Sequence, residues 1–148
     1  MLDRLVERNR SYRRFDAGAS VTAETLKELI DNGRKSASAM NLQPLKYLIS
    51  ADPARNAAIF PHLKWAGYLK DWAGPAEHER PAAYIVVLHD TAIKSPSHLL
   101  WCDAGLACQI ILLSAVERGL GGCIVGSADG RALRDSLGVP ERYEALLV

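Results

Sequence analysis

The sequence carries almost no net charge. Its 18 Lys and Arg stand against 17 Asp and Glu, leaving +1, so no global field draws the chain to nucleic acid or to an anionic membrane surface. Cysteine is scarce and odd in number: Cys102, Cys108 and Cys123 cannot build a disulfide framework by themselves. Neither CxxC nor HExxH occurs, His62, His78 and His98 make no ligand spacing, and there is no catalytic-triad or paired-carboxylate signature. The uncharged run from Ala104 to Val116 falls short of the roughly 18 apolar residues that a membrane span needs. No secretory signal precedes the first charged helix. Together these absences predict a cytoplasmic protein with reduced thiols, its three cysteines acting as small core residues. At 148 residues the chain supports one domain, residues 1–148, with a real core.

What the sequence does have is concentrated between Ser97 and Ser127. Leucine, isoleucine, valine and alanine occupy every face of a helix here, interrupted before Glu117 only by Asp103, Gln109 and Ser114. A helix apolar all round is expected to be buried on all sides. It runs into Gly119-Leu120-Gly121-Gly122-Cys123-Ile124-Val125-Gly126-Ser127, which reads as a tight turn and a short central strand whose backbone is closely approached.

The remaining segments supply cover. Leu2, Leu5 and Val6 predict a short amphipathic helix ending near Arg8. Arg8-Asn9-Arg10-Ser11-Tyr12-Arg13-Arg14-Phe15 is the densest basic stretch. It suits either a solvated loop or an anion site in which guanidinium forks meet phosphate oxygens. Thr22 caps a helix whose buried stripe is Leu26, Leu29 and Ile30, with Gly33 at its end. The loop Ser36–Pro44 can cap a helix or present donors and acceptors to a planar heterocycle. Lys46–Ser50 reads as a strand, and Trp65, Tyr68, Leu69 and Trp72 fall on one face of a predicted helix. Ala82–Leu88 is apolar throughout, hence a strand buried on both faces, closed by the polar pair His89-Asp90. Asp129–Leu137 predicts a helix stopped by Gly138 and Pro140, and Ala145–Val148 a final strand.

Four of these segments, in this order and spacing, resemble the nitroreductase family of flavin enzymes: Arg10-Ser11-Tyr12-Arg13-Arg14-Phe15, Ser38-Ala39-Met40-Asn41-Leu42-Gln43-Pro44, the strand Ala82–Leu88, and the helix leading into Gly119–Ser127. The resemblance implies an α+β sandwich, a mixed and mostly antiparallel sheet between helical layers, in an FMN-binding homodimer with the long helix at the subunit interface. It implies that Arg10, Ser11 and Arg13 hold the FMN phosphate and ribityl chain. Ser38 and Asn41 of the partner subunit would bond the isoalloxazine edge. Cys123, Ile124, Val125, Gly126 and Ser127 would pack against the ring, a backbone N–H near Gly126 facing the reactive nitrogen.

The implied chemistry is ping-pong hydride transfer from NAD(P)H to a nitroaromatic, quinone or similar acceptor, with no catalytic side chain because the cofactor performs the difficult step. The alternative within the same fold is a flavin-binding protein without efficient turnover. Leaving the resemblance aside, Arg8–Arg14 could serve an interaction module for an acidic partner. The chain departs from the family in having Asn9 where a second arginine is common, and Ala37 and Leu45 where proline and tryptophan are common. The family also continues past the position of Val148 into a further strand and C-terminal segment, for which this sequence has no counterpart.

Overall fold

The computed structural model describes residues 2–16 and 18–148. Helix α1 (Leu2–Arg8) is followed by α2 (Ala23–Gly33), strand β1 (Leu45–Ser50), α3 (Pro53–Ile59), strand β2 (Tyr84–Asp90), the long α4 (Ser97–Glu117), α5 (Gly130–Ser136) and strand β3 (Tyr143–Leu147). The strands form one sheet in the order β1-β2-β3. Both ladders are antiparallel: Leu45 lies opposite His89 and Ser50 opposite Tyr84, while Val87 faces Leu147 and Asp90 faces Tyr143. A register shift between Val87 and Leu88 gives β3 an extra residue, which bends it. Among the described residues, parallel pairing is confined to the isolated bridge between Ser11 and Gly122.

Side chains alternate across a strand, and here the alternation divides the interior in two. Tyr84, Val86 and Leu88 point to one face, where they pack with Ile59, Leu63, Trp65, Val125 and Leu133. Ile85 joins Tyr47 and Ile49 on the other face, against Leu26 and Leu29 of α2 and Ile111 and Ala115 of α4. This two-sided burial is why the sequence of β2 is an unbroken apolar run. Thr22 and Gly138 end their helices as predicted, and Asp129, expected as the first residue of its helix, is instead that helix's N-cap. Thr22 Oγ1 accepts the Thr25 N–H at 3.1 Å, Asp129 accepts the Ala132 N–H at 3.0 Å, and Gly138 closes α5 at φ +64°. Helix α2 crosses α4 over Gly33, where a Cβ would come within 2.6 Å of Ile111 Cγ1.

The structure corrects four expectations. Helix α4 is not buried all round by its own chain: Trp101, Leu106 and Ile110 stay 47%, 45% and 37% exposed. It is long and apolar enough to cross a membrane by length and composition, yet Leu100, Ala104, Ala107, Ile111, Ala115 and Val116 are buried within this fold. The cysteines do not share one fate. Cys108 is buried, Cys123 half-buried and Cys102 exposed, because Cys102 lies on the uncovered side of α4. Burial pushes the Cys108 thiol up to about 11.

The glycine-rich stretch forms no strand. Val125 exchanges backbone bonds with Val148 at 2.7 and 3.1 Å and Gly122 bridges Ser11, but flanking glycines stop these single pairs from growing into a ladder. Finally, Trp65–Trp72 is not helical. Leu63 bridges Ala128, which draws the chain out, and Ala66 turns it at φ +36°. Trp65 is thereby buried while Tyr68 is left 73% exposed.

One polar contact ties β2 to the chain before β3. Asp90, 2% exposed, accepts from Arg142 Nε at 2.6 Å and Nη2 at 2.7 Å. The guanidinium holds the carboxyl below its ordinary value of 3.8. A carboxylate with a depressed folded-state pKa contributes stability above the unfolded value and loses it as pH falls through the folded one. Arg142→Gln is therefore expected to be less stable than the unmutated protein at neutral pH, the gap narrowing as pH falls below 3.8. Urea unfolding of both proteins across that range measures it; a gap independent of pH would contradict the assignment.

Candidate functional site

The basic segment takes its course from the C-terminal end of α1. Arg10 folds back on that helix end, donating from Nη1 to the carbonyls of Val6 at 2.9 Å and Asn9 at 2.8 Å. The Tyr12 hydroxyl donates to the Arg8 carbonyl at 2.8 Å, and the Tyr12 N–H donates to the Gly122 carbonyl at 3.1 Å. The Tyr12 ring rests on Gly121, where a Cβ would lie 2.7 Å from ring carbon Cδ2; glycine is the residue that permits this contact.

Two sides of the extended segment then have different tasks. Tyr12, Arg14 and Phe15 line a cavity of about 500 Å³ that reaches Leu26, Ile111 and Trp65, whereas Arg10, Ser11 and Arg13 do not line it. Arg14 is paired with Glu79 at 3.4 Å. Among the described residues Arg13 donates only to the Ser11 carbonyl, at 3.2 Å, and its charge reaches Cys123. Burial raises that thiol's pKa, while Arg13 opposes the rise.

The glycine-rich run is exposed on either side of the buried Val125. Ile124 is 40% exposed, and Gly126 and Ser127 are exposed. Among the described residues, the N–H groups of Ile124 and Gly126 donate to no backbone carbonyl, while the Ser127 carbonyl accepts the Lys64 N–H at 2.8 Å. A Cβ on Gly126 would meet only Leu147, at 3.7 Å. The fold thus joins the Arg10–Arg13 segment to the glycine-rich run at Gly122, through Ser11 and Tyr12, and sets Arg13 near enough to Cys123 for its charge to act on that thiol. The joined segments carry cations able to fork onto an anion and free amide donors able to meet ring acceptors. Both fit a flat heterocycle carrying a phosphate.

Ser38 and Asn41 lie elsewhere. Their loop is held by Asp103, 3% exposed, which accepts from Ser38 Oγ at 2.7 Å and from the Ala39 N–H at 3.0 Å. The Tyr12–Gly122 end of the site packs instead near Leu112, whose Cδ2 would lie 2.7 Å from a Cβ on Gly122. Asp103 and Leu112 are separated by ~13 Å along α4 at the helical rise per residue. Within one chain, then, the two predicted halves of the site stand at different levels of the same helix. Asp103 was visible in the sequence only as an interruption. Its signal was physical: a carboxylate midway along an apolar helix requires a partner.

Among the described residues no group of three or more His, Cys, Asp or Glu could hold a metal ion. A model of the nitroreductase family matches residues 6–148. The chain belongs to the nitroreductase family. The fold of this nitroreductase-family chain recurs in solved structures. A nitroreductase family protein from Streptococcus pneumoniae TIGR4 superposes with a TM-score of 0.80 at 17% identity, over 99% of this chain and 87% of that one. A protein from Exiguobacterium sibiricum 255-15, solved in complex with FMN, gives 0.78 at 17% identity over 99% and 85%. An FMN-dependent nitroreductase from Clostridium difficile R20291 gives 0.76 at 20% identity over 97% and 82%. At such identities the likeness establishes the shared fold. No curated protein matches the sequence.

Proposed function

We propose that this chain is an FMN-dependent oxidoreductase whose flavin sites form between two copies. The observation that carries the reading is the join between the Arg10-Ser11-Tyr12-Arg13 segment and the glycine-rich run at the Ser11–Gly122 bridge, a few residues before the exposed Gly126 and Ser127. The family match and the FMN bound or required by solved relatives support it. FMN, when bound, would take a hydride from NAD(P)H and pass electrons to a nitroaromatic, quinone or similar acceptor.

The chain's own residues have simpler roles. Arg10 and Arg13 neutralise the phosphate, and Ser11 adds a hydroxyl. The run Cys123–Ser127 gives the ring a flat seat, and the free N–H groups of Ile124 and Gly126 supply donors to its acceptor atoms. The loop bearing Ser38 and Asn41 completes the ring edge from the second copy. No side chain need act as acid or base.

A charge-assisted hydrogen bond contributes about 1.5–3 kcal/mol, and tenfold in affinity is about 1.4 kcal/mol. Arg13→Ala is thus expected to raise the Kd for FMN by roughly 10–100-fold. Titration of apoprotein followed by flavin fluorescence measures it, and unchanged affinity would show that Arg13 does not hold the phosphate. Anaerobic mixing with NADH or NADPH separates an enzyme from a carrier: the enzyme bleaches the flavin and an acceptor restores its colour, whereas a carrier stays yellow.

A further inference from the structure

The loop from Ser38 to Gln43 takes a backbone course that its residues resist. Met40, Asn41 and Gln43 have φ of +52°, +54° and +52°, a region that side-chain-bearing residues seldom occupy. Such strain persists only where surrounding contacts over-determine it. The contacts here converge on one carboxylate. Asp103 takes the Ser38 hydroxyl at 2.7 Å on Oδ2 and the Ala39 N–H at 3.0 Å on Oδ1. The Ser38 oxygen in turn accepts the Gln43 N–H at 3.0 Å. The Ser38 hydroxyl therefore both donates and accepts within its own chain. Asn41 behaves differently: its side-chain oxygen accepts from Gln43 Nε2 at 2.8 Å, and among the described residues its amide N–H groups donate to no partner.

We infer that Asp103 is a positioning residue for the flavin site: through Ser38 it sets the loop so that Asn41, and not Ser38, offers the side-chain donor to the ring edge. This rests on the proposed flavin reading and changes the role of Ser38 from ligand to frame. The same helix also carries Leu106 and Ile110 on its exposed side. The loop is consequently fixed to the element expected to meet the second copy.

The test compares FMN affinity of the unmutated protein with that of Ser38→Ala, Asp103→Ala, Asn41→Ala and the pair Asn41→Ala/Asp103→Ala, with amide exchange at Ala39 and Gln43 recorded on each. Ser38→Ala removes one oxygen and serves should Asp103→Ala fold poorly. Loss of one well-placed hydrogen bond to the ring corresponds to roughly a tenfold rise in Kd. Asn41→Ala, Asp103→Ala and Ser38→Ala are each expected to show about that rise, and the pair no more than Asp103→Ala alone, because both act through one contact. Additive losses, or Asp103→Ala and Ser38→Ala proteins that bind FMN like the unmutated one, would overturn the inference while leaving the flavin reading intact. If the unmutated protein takes up no FMN, the flavin reading fails, and with it the role assigned to Asp103. Fast exchange at Ala39 and Gln43 in the variants would then still mark Asp103 as the loop's anchor, but with no flavin to position.

Discussion

Leu106→Glu combined with Ile110→Glu is expected to convert the protein to monomers and to remove its FMN. These side chains are 45% and 37% exposed on α4, a helix built mostly from apolar residues. Leu2 and Val6 of α1, a helix in contact with α4, are exposed as well. Completing the burial of a half-exposed leucine or isoleucine contributes about 1 kcal/mol on the area scale. Two such residues in each of two chains amount to ~4 kcal/mol, or roughly a thousandfold in the dimerisation constant. Introduced carboxylates add a desolvation cost to that loss. Sizing chromatography with absorbance at the flavin band reads both consequences together. Dimers that persist, or monomers that keep their FMN, would detach the flavin site from the interface.

Gly121→Ala is expected to weaken FMN binding strongly although residue 121 bears no side chain to contact it. The added Cβ would lie 2.7 Å from the Tyr12 ring, so the ring must leave its seat. Tyr12 is bonded to the Gly122 carbonyl and to Arg8, and moving it shifts Ser11 and Arg13. Overpacking of this kind costs about 1–3 kcal/mol. Spent on displacing the arginine segment, it corresponds to roughly a 10–100-fold rise in Kd. Gly67→Ala is the control, since a Cβ there meets nothing within 4 Å. Equal FMN affinity of the two variants would mean that Tyr12 does not fix the arginines.

Local chemistry was the legible part of this fold. Thr22 and Gly138 mark helix ends because caps depend on neighbours a few residues away, and the apolar run of β2 announces burial on both faces. Three features depended on distant partners and were not legible. The spacing of Trp65, Tyr68, Leu69 and Trp72 matches a helix, but pairing of Leu63 with Ala128 and the turn at Ala66 override it. The all-apolar α4 shows that surface must be covered without showing whether its own chain or a second copy does so. In the site, the resemblance led to Arg10, Ser11, Arg13 and the run Cys123–Ser127, two segments whose recorded join is the Ser11–Gly122 bridge. It also marked Ser38 as a ligand, where the structure has its hydroxyl occupied by Asp103 and Gln43. That occupation depends on a carboxylate 65 residues away, beyond the reach of any local pattern.

The most direct test of a flavin site shared between two copies is co-expression of Arg13→Ala chains with Asn41→Ala chains, followed by counting FMN in the isolated mixed dimer. Each variant alone should retain little FMN after desalting. The mixed dimer has one site with both changes and one with neither, and is predicted to retain one FMN per dimer. A mixed dimer as poor in FMN as its parents would place both groups in the same chain's site and contradict the account.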